Sequence, residues 1–341
     1  MKDLIQLQKV IFPDLLEEMR TRYTVLYTIE LFEPIGRRGI VEHTDLPERY
    51  VRNEISLLEE QGLIKVTTKG MFVTEEGKNV IDDLYEFFRE LTGLGHLEDR
   101  IKEKTSVNEV IVVAGDSDIN PYVKQELGRA TVQFLKKKVQ SDVTIAVTGG
   151  STMAAVANAM VPFQGIECLF VPARGGIGEI VENQANTIVA KMAEAEKGDY
   201  RLLHVPDPLS ETLYQSLILE PSIADTLAHL DNASIVLHGI SDALVLAKRR
   251  KSPQHVIDKL MRHEAVSEAF GYYFNEQGTI VHRTRTIGIH LENLQEIETV
   301  ITVAGGKMKG RAIASFLRQK KTDVLITDEA AAEEMLLHYL K

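Results

Sequence analysis

The stretch at 143–160, VTIAVTGGSTMAAVANAM, constrains the fold more than any other part of this chain. Its first five residues are apolar or β-branched and read as a buried strand. The chain then turns through Thr148-Gly149-Gly150-Ser151-Thr152 and enters an Ala-rich run suited to a helix. Two glycines let backbone N–H groups approach a ligand with no Cβ in the way. Ser151 and Thr152 add hydroxyls where the helix starts, and the first N–H groups of a helix carry partial positive charge. Such a turn suits an anion, most simply a phosphate. It also serves as a plain strand-to-helix turn with a Ser/Thr cap, and the motif alone does not separate the two.

The same texture recurs along the C-terminal two thirds. Apolar runs at 110–114, 143–147, 168–171, 201–205, 234–238, 300–303 and 324–327 alternate with helical stretches. Continuous apolar strands separated by helices predict a Rossmann-like α/β domain with a parallel sheet covered on both faces. Runs at 272–274 and 279–281 predict an inserted hairpin. Ligands of such sheets bind beyond the carboxyl ends of the strands. Those ends carry Gly115-Asp116-Ser117-Asp118, the 148–152 turn, Ala173-Arg174-Gly175-Gly176 and Ala304-Gly305-Gly306-Lys307-Met308-Lys309. Three Gly-Gly turns, two of them beside cations, point to phosphate binding. None is a Walker A or GxGxxG loop, so nucleotide binding is not expected. Arg249-Arg250-Lys251 is a further basic cluster, equally readable as a solvated helix end. Asn183-Gln184-Ala185-Asn186 offers amides for sugar hydroxyls or a helix cap.

The N-terminal part has a different pattern. Leu4, Ile5, Ile11, Phe12, Leu15, Leu16 and Met19 form a helical stripe, with Pro13 restarting the helix. Helices are expected over 22–31 and 37–43, then a turn at Thr44-Asp45-Leu46. A third helix is expected over 47–61 with Pro47 in its first turn. Val51, Ile55 and Leu58 share its inner face, leaving Arg49, Tyr50, Arg52, Asn53 and Ser56 outside. These are the side-chain types that read base edges and phosphates. Gly62 closes the helix, and a hairpin with Lys69 at its tip follows. The order predicts a winged helix-turn-helix over residues 1–78, with Arg37 and Arg38 as further DNA contacts. A small helical domain with a solvated charged face is the alternative. Acids such as Glu54, Glu59 and Glu60 sit on or near the third helix, so charge does not decide. Val80, Ile81, Leu84, Phe87, Phe88 and Leu91 then mark a linker helix over 79–105 suited to self-association. Residues 106–341 form the α/β domain.

Composition narrows the partners. A net charge of -11 excludes a general polyanion binder, so any DNA contact must be local. No apolar window reaches the roughly 18 residues of a membrane span, and no signal-peptide core is visible, so a cytoplasmic protein is expected. The single Cys168 lies in an apolar run and reads as a small buried hydrophobe.

The stretches LLEEMRTRYTVL, EPIGRRGI, AVTGGST, FVPARGGIGEIVENQANTIVA, YRLLHVPD, EAFGYYFN and AGGKMKGRAI together resemble SorC-type sugar-responsive transcriptional regulators over nearly the full length. The resemblance implies an N-terminal domain for operator double-stranded DNA. It implies an effector domain similar to sugar-phosphate isomerases and deaminases, with no cofactor. It also implies repression of glycolytic genes relieved by fructose 1,6-bisphosphate, and assembly into homodimers and homotetramers. By position, Ser151 and Thr152, with Gly149 and Gly150, match the family's phosphate cradle. Arg174, beside Gly175, and Lys309 match its cationic ligands, Glu268 an acid that accepts sugar hydroxyls, and Arg249 or Arg250 a second-phosphate contact. Pro47, Ser151 and the enlarged Lys307-Met308 loop depart from the usual pattern. A sugar-phosphate isomerase or deaminase is the competing reading, with Asp116, Asp118, Asp242, Glu268 and His238 available as acids and bases. That reading has no use for a winged helix.

Overall fold

The computed structural model describes residues 13–44, 46–163, 165–176, 180–207 and 209–340. The chain divides into two compact units, Met1–Gly93 and Leu94–Lys341.

In the first unit, helix α1 (Pro13–Phe32) is followed by α2 (Arg37–Thr44), α3 (Glu48–Glu60) and the hairpin β1 (Ile64–Thr67) and β2 (Gly70–Val73). The helix expected at 22–31 is the second half of α1, since nothing between Met19 and Arg22 breaks the backbone and Arg22 pairs with Glu18 one turn earlier. The stripe residues before Pro13 lie outside the described residues, as does Asp45. Pro47 caps α3 from outside rather than entering its first turn: its carbonyl accepts from the N–H groups of Tyr50 and Val51. Val51, Ile55 and Leu58 pack inward with Val25, Leu26, Ile29 and Ile40. Ile35 forms a single antiparallel bridge with Met71 of the hairpin, whose turn is held by Thr67 Oγ1 donating to Gly70 O at 2.8 Å. Segment 79–105 is not one helix. A helix at Glu75–Thr92, capped by Thr74, ends at Gly93 in the left-handed region (φ 78°), and a second helix occupies Leu94–Lys104. Ile81 is buried in the core of the first unit. The side chains of Phe88 and Leu91 lie outside the described ones.

The second unit is built on seven parallel strands: β3 (Glu109–Val113), β4 (Val143–Val147), β5 (Cys168–Pro172), β6 (Asp199–Tyr200), β7 (Ile235–His238), and later β12 (Thr299–Val303) and β13 (Val324–Asp328). Their spatial order is β3-β13-β12-β7-β4-β5-β6. Successive residues go to opposite cores: Val236 and Val300 to one, Leu237 and Ile301 to the other, as a sheet covered on both faces requires. A second, antiparallel sheet runs β11-β10-β9-β8, from β8 (Ser241–Asp242), β9 (Ala265–Ala269), β10 (Tyr272–Asn275) and β11 (Ile280–Arg283).

The strand expected at 201–205 is instead irregular chain. Its Leu203 N–H and C=O bond the side chain of Asn186, at 2.9 and 3.2 Å, where a strand would need a neighbouring backbone. The helix Ser151–Asn158 after β4 lies against the helix Pro121–Lys138 at Gly128, where a Cβ would stand 2.5 Å from Ala155 O. Gly128→Val should therefore cost about 1–3 kcal/mol, as overpacking does. Chemical denaturation checks this, and an unchanged midpoint contradicts the close packing.

Candidate functional site

Beyond β4 the chain moves outward through β5 and β6, whereas β7, on the other side of β4, leads to β12 and β13. This reversal opens a crevice at the carboxyl ends of the strands. A cavity of about 530 Å³ fills it. Gly149, Gly150, Ser151, Thr152, Arg174, Gly175, Arg250, Glu268 and Lys309 line it, and so do Asp118, Asp242 and Arg249. Gln184 is not among the lining residues. A Cβ on Gly176 would stand 2.7 Å from the Gln184 side-chain oxygen, so Gln184 packs against that loop.

The first Gly-Gly turn is shaped by its neighbours. Thr148 N–H donates to Leu237 O, and Thr148 Oγ1 accepts from Gly239 N–H, which ties the ends of β4 and β7 together. Gly150 takes φ 124° and donates to Asn183 O at 2.8 Å, while a Cβ on Gly149 would stand 2.7 Å from that same oxygen. Both positions therefore need glycine. The helix then starts at Ser151 without a side-chain cap, which leaves its first N–H groups available to an outside acceptor.

The other two Gly-Gly turns are built differently from a phosphate loop. Gly175 and Gly176 donate to Ile287 O and Val205 O, both at 3.2 Å. In the last turn, Gly306 N–H donates to Asp328 Oδ2 at 2.7 Å, Lys307 N–H to Asp116 Oδ1 at 3.3 Å and Met308 N–H to Asp118 Oδ2 at 2.8 Å. Carboxylates of this chain thus fill the places a phosphate would take. What this loop offers the cavity is the Lys309 side chain. Burial lowers the Lys309 ammonium below the usual lysine range, Lys124 and Arg249 lower it further, and Asp118 and Asp328 oppose them. Neither Lys309 nor Arg249 forms an ion pair among the described residues. This is a positive cluster without a direct ion pair at Lys309 or Arg249, beside a helix start.

Arg174 and Arg250 are a different case from the isolated cations the sequence suggests. Arg174 lies 2.6 Å from Asp207 and 3.0 Å from Glu268, and Arg250 lies 2.9 Å from the same Glu268 oxygen, which also accepts from Gly271 N–H. All four side chains are nearly fully buried. Burial alone would raise the Glu268 carboxyl, but Arg250, Arg174 and Gly271 N–H hold it below the usual carboxylate range. The Nε atoms of both arginines have no hydrogen-bond partner. Asp207 was not foreseen: YRLLHVPD contains it, but no spacing rule ties it to Arg174.

In the first unit, Arg37, Arg38, Arg49, Arg52, Asn53, Ser56 and Lys69 are exposed and Tyr50 is partly so. Arg37 and Arg38 open α2, whose first turn has no acid. Cations there oppose the helix dipole and favour an external anion. Glu54 is not on the outer face of α3. It is buried and accepts from Arg22 Nε at 2.8 Å.

Comparison with known proteins fits both units. Residues 89–337 match the Sugar-bind family of sugar-binding domains, and residues 19–88 match the CggR N-terminal DNA binding domain. The chain is 49% identical to the central glycolytic genes regulator of Priestia megaterium over 338 residues, 98% of this chain and 99% of that protein. It belongs to the central glycolytic genes regulator family. The Bacillus subtilis regulator of that name is 45% identical, again over 98% of this chain and 99% of the relative. A solved SorC family transcriptional regulator from Enterococcus faecalis is 44% identical, with TM-score 0.67, over 71% of this chain and 99% of that one. The full-length sorbitol operon regulator SorC from Klebsiella pneumoniae shares the fold, with TM-score 0.68 at 15% identity, over 93% of this chain and 98% of that one.

As a member of this family the chain is a DNA-binding transcription regulator with a sugar-binding domain, not an enzyme. The candidate acids and bases have other duties in this regulator. Asp116 and Asp118 hold the Lys307–Met308 backbone, and Asp242 caps Val245 N–H at 2.9 Å. Burial pushes the His238 imidazole down to about 4, against Gly239 O and Glu268. Its Nε2 meets Thr302 Oγ1 at 2.7 Å in a fully enclosed site. Among the described residues no helix is long and apolar enough to cross a membrane.

Removing Glu268 leaves two buried guanidinium groups short of a carboxylate. Glu268→Ala should destabilise the second unit by about 3–5 kcal/mol at neutral pH, the usual effect of breaking a buried pair. Because the folded carboxyl titrates below its ordinary value of 4.5, its contribution is present above that pH and lost as pH falls below it. Unfolding curves of the two proteins should therefore converge on acidification. A gap that widens in acid contradicts the network.

Proposed function

We propose that this protein represses central glycolytic genes and leaves its operator when fructose 1,6-bisphosphate occupies the cavity. The observation that carries the reading is the pairing, in one cavity, of an uncapped helix start at Ser151 with Lys309 and Arg249, cations that form no direct ion pair among the described residues. The regulators named in the relatives support the gene class. One phosphate is held by the Gly149–Thr152 turn, its hydroxyls and Lys309. The second phosphate is held on the Arg249–Arg250 side, and Glu268, kept ionised, accepts sugar hydroxyls. A monophosphate fills one end only. For release, the effector must bind the conformation with low DNA affinity better than the DNA-bound one, since equal binding shifts nothing. The protein acts as a homodimer or homotetramer in the cytoplasm, reading operator half-sites with α3 and contacting flanking phosphates with Arg37, Arg38 and Lys69.

A mobility-shift titration tests this directly. Fructose 1,6-bisphosphate should lower operator affinity and be recovered unchanged, and fructose 6-phosphate at equal concentration should not lower it. No response to the bisphosphate contradicts the reading. Lys309→Met should weaken bisphosphate binding about ten- to a hundredfold, as loss of a charge-assisted contact does, and leave operator binding intact. Since Lys309 binds phosphate only when protonated and its ammonium titrates below the usual range, wild-type affinity should fall as pH rises towards 10 and flatten in Lys309→Met. Calorimetry across pH checks both. On the DNA side, Arg49→Ala and Arg52→Ala should each cost about 1–3 kcal/mol of operator affinity if base-specific, or weaken all sequences alike if they contact phosphate. Wild-type affinity in the double variant removes α3 from the DNA interface.

A further inference from the structure

The outer edge of the antiparallel sheet borders a second cavity, of about 600 Å³, separate from the one between β4 and β7. Strand β11 and the residues after it supply one wall, with His282, Arg283, Thr284, Arg285 and Thr286, and Ser252 and His290 add to the polar lining. Leu209, Tyr214 and Val256 supply an apolar side. Arg283 forms no ion pair with a carboxylate among the described residues. Its guanidinium lies 4.8 Å over the Tyr272 ring and donates to His290 Nδ1 at 3.1 Å. With Nδ1 accepting, the proton of neutral His290 is on Nε2. The neighbouring Arg285 is already paired with Glu211. The cavity therefore combines one available guanidinium, an imidazole N–H, three hydroxyls and an apolar wall.

A hydrogen-bonded bridge and a side-chain contact run from this cavity to the effector cavity. Thr286 Oγ1 donates to Asp207 Oδ2 at 3.3 Å, and that oxygen lies 2.6 Å from Arg174, which lines the effector cavity. Asp207 keeps its other oxygen buried and without a hydrogen-bond partner. Thr284 stands beside Tyr273, whose hydroxyl accepts from Arg250 at 3.4 Å. A ligand that recruits either threonine hydroxyl changes the surroundings of Asp207 or Tyr273, and so the charge balance around Arg174 and Arg250.

We propose that this second cavity is a regulatory site for a small organic oxyanion, a phosphate monoester or a carboxylate, and that its occupancy alters effector affinity through Asp207 and Tyr273. A guanidinium with hydroxyl donors recognises either oxyanion, and the apolar wall takes a short carbon skeleton.

Calorimetry on the full-length protein tests this with glycerol 3-phosphate, succinate and inorganic phosphate as probes. Wild type, Lys309→Met, Arg283→Met and Arg283→Lys are compared. Lys309→Met should still bind glycerol 3-phosphate or succinate. Arg283→Met should lose that binding by about tenfold or more, and Arg283→Lys should keep part of it. Saturation with the bound probe should change wild-type affinity for fructose 1,6-bisphosphate by about fivefold, and leave Arg283→Met unmoved. Preference for glycerol 3-phosphate assigns the site to phosphate esters, and preference for succinate assigns it to carboxylates. Binding of inorganic phosphate alone marks an adventitious ion only and overturns the proposal. So does probe binding insensitive to Arg283→Met, absence of binding by both organic probes, or unchanged bisphosphate affinity under saturation. The Arg283 comparison needs no bisphosphate, so it decides the second cavity even if another molecule fills the first.

Discussion

Backbone N–H groups at the carboxyl end of a buried parallel sheet need acceptors, and the second unit supplies most of them from its own carboxylates. Asp328 is fully buried and takes N–H donations from Ser117, Gly306 and Ala331. Asp116 and Asp118 take the next two, from Lys307 and Met308. Glu268 takes Gly271 together with two guanidinium groups. Once these pairs form, the loops after β3 and β12 are stitched into one rigid rim. The helix start after β4 is left as the place where an outside anion still finds backbone donors. The positive cluster of Lys309, Lys124 and Arg249 lies where such an anion has charge to neutralise.

The same accounting governs the DNA-reading unit. Glu54 lies on the helix that presents Arg49, Arg52 and Asn53, and an exposed acid there would repel phosphate. It is turned inward and paired with Arg22 of α1, which fixes α3 to the core and removes the acid from the surface. The two arginines that open α2 are locally unfavourable, and that cost makes sense on a surface that meets a polyanion.

Much of this was legible in the sequence because parallel strands buried on both faces read as continuous apolar runs. Six of the seven central strands follow that pattern, and the seventh, β6 at Asp199–Tyr200, does not. The run at 201–205 has the pattern without being a strand, because its backbone bonds the Asn186 side chain, a long-range partner that periodicity does not register. Strand β9 was missed for the opposite reason. AVSEA holds Glu268, and a buried acid is readable as strand only when Arg174 and Arg250 are known to surround it. The effector-site candidates follow from strand ends and from the resemblance, and all but Gln184 line the cavity. Their roles were less legible. Three Gly-Gly turns look alike in sequence, yet carboxylates or carbonyls from distant parts of the chain occupy two of them. The turn at Gly175-Gly176 and the one at Gly305-Gly306 need glycine for close packing, not for a ligand.

The central claim is that one of three similar turns keeps backbone donors for an anion. Amide hydrogen exchange with and without fructose 1,6-bisphosphate tests it most directly. The account predicts new protection at Ser151, Thr152 and Met153 on ligand addition, while the amides of Gly175, Gly176 and Gly306 to Met308 are protected equally in both states. New protection at Gly306 to Met308, with none at Ser151 to Met153, contradicts it.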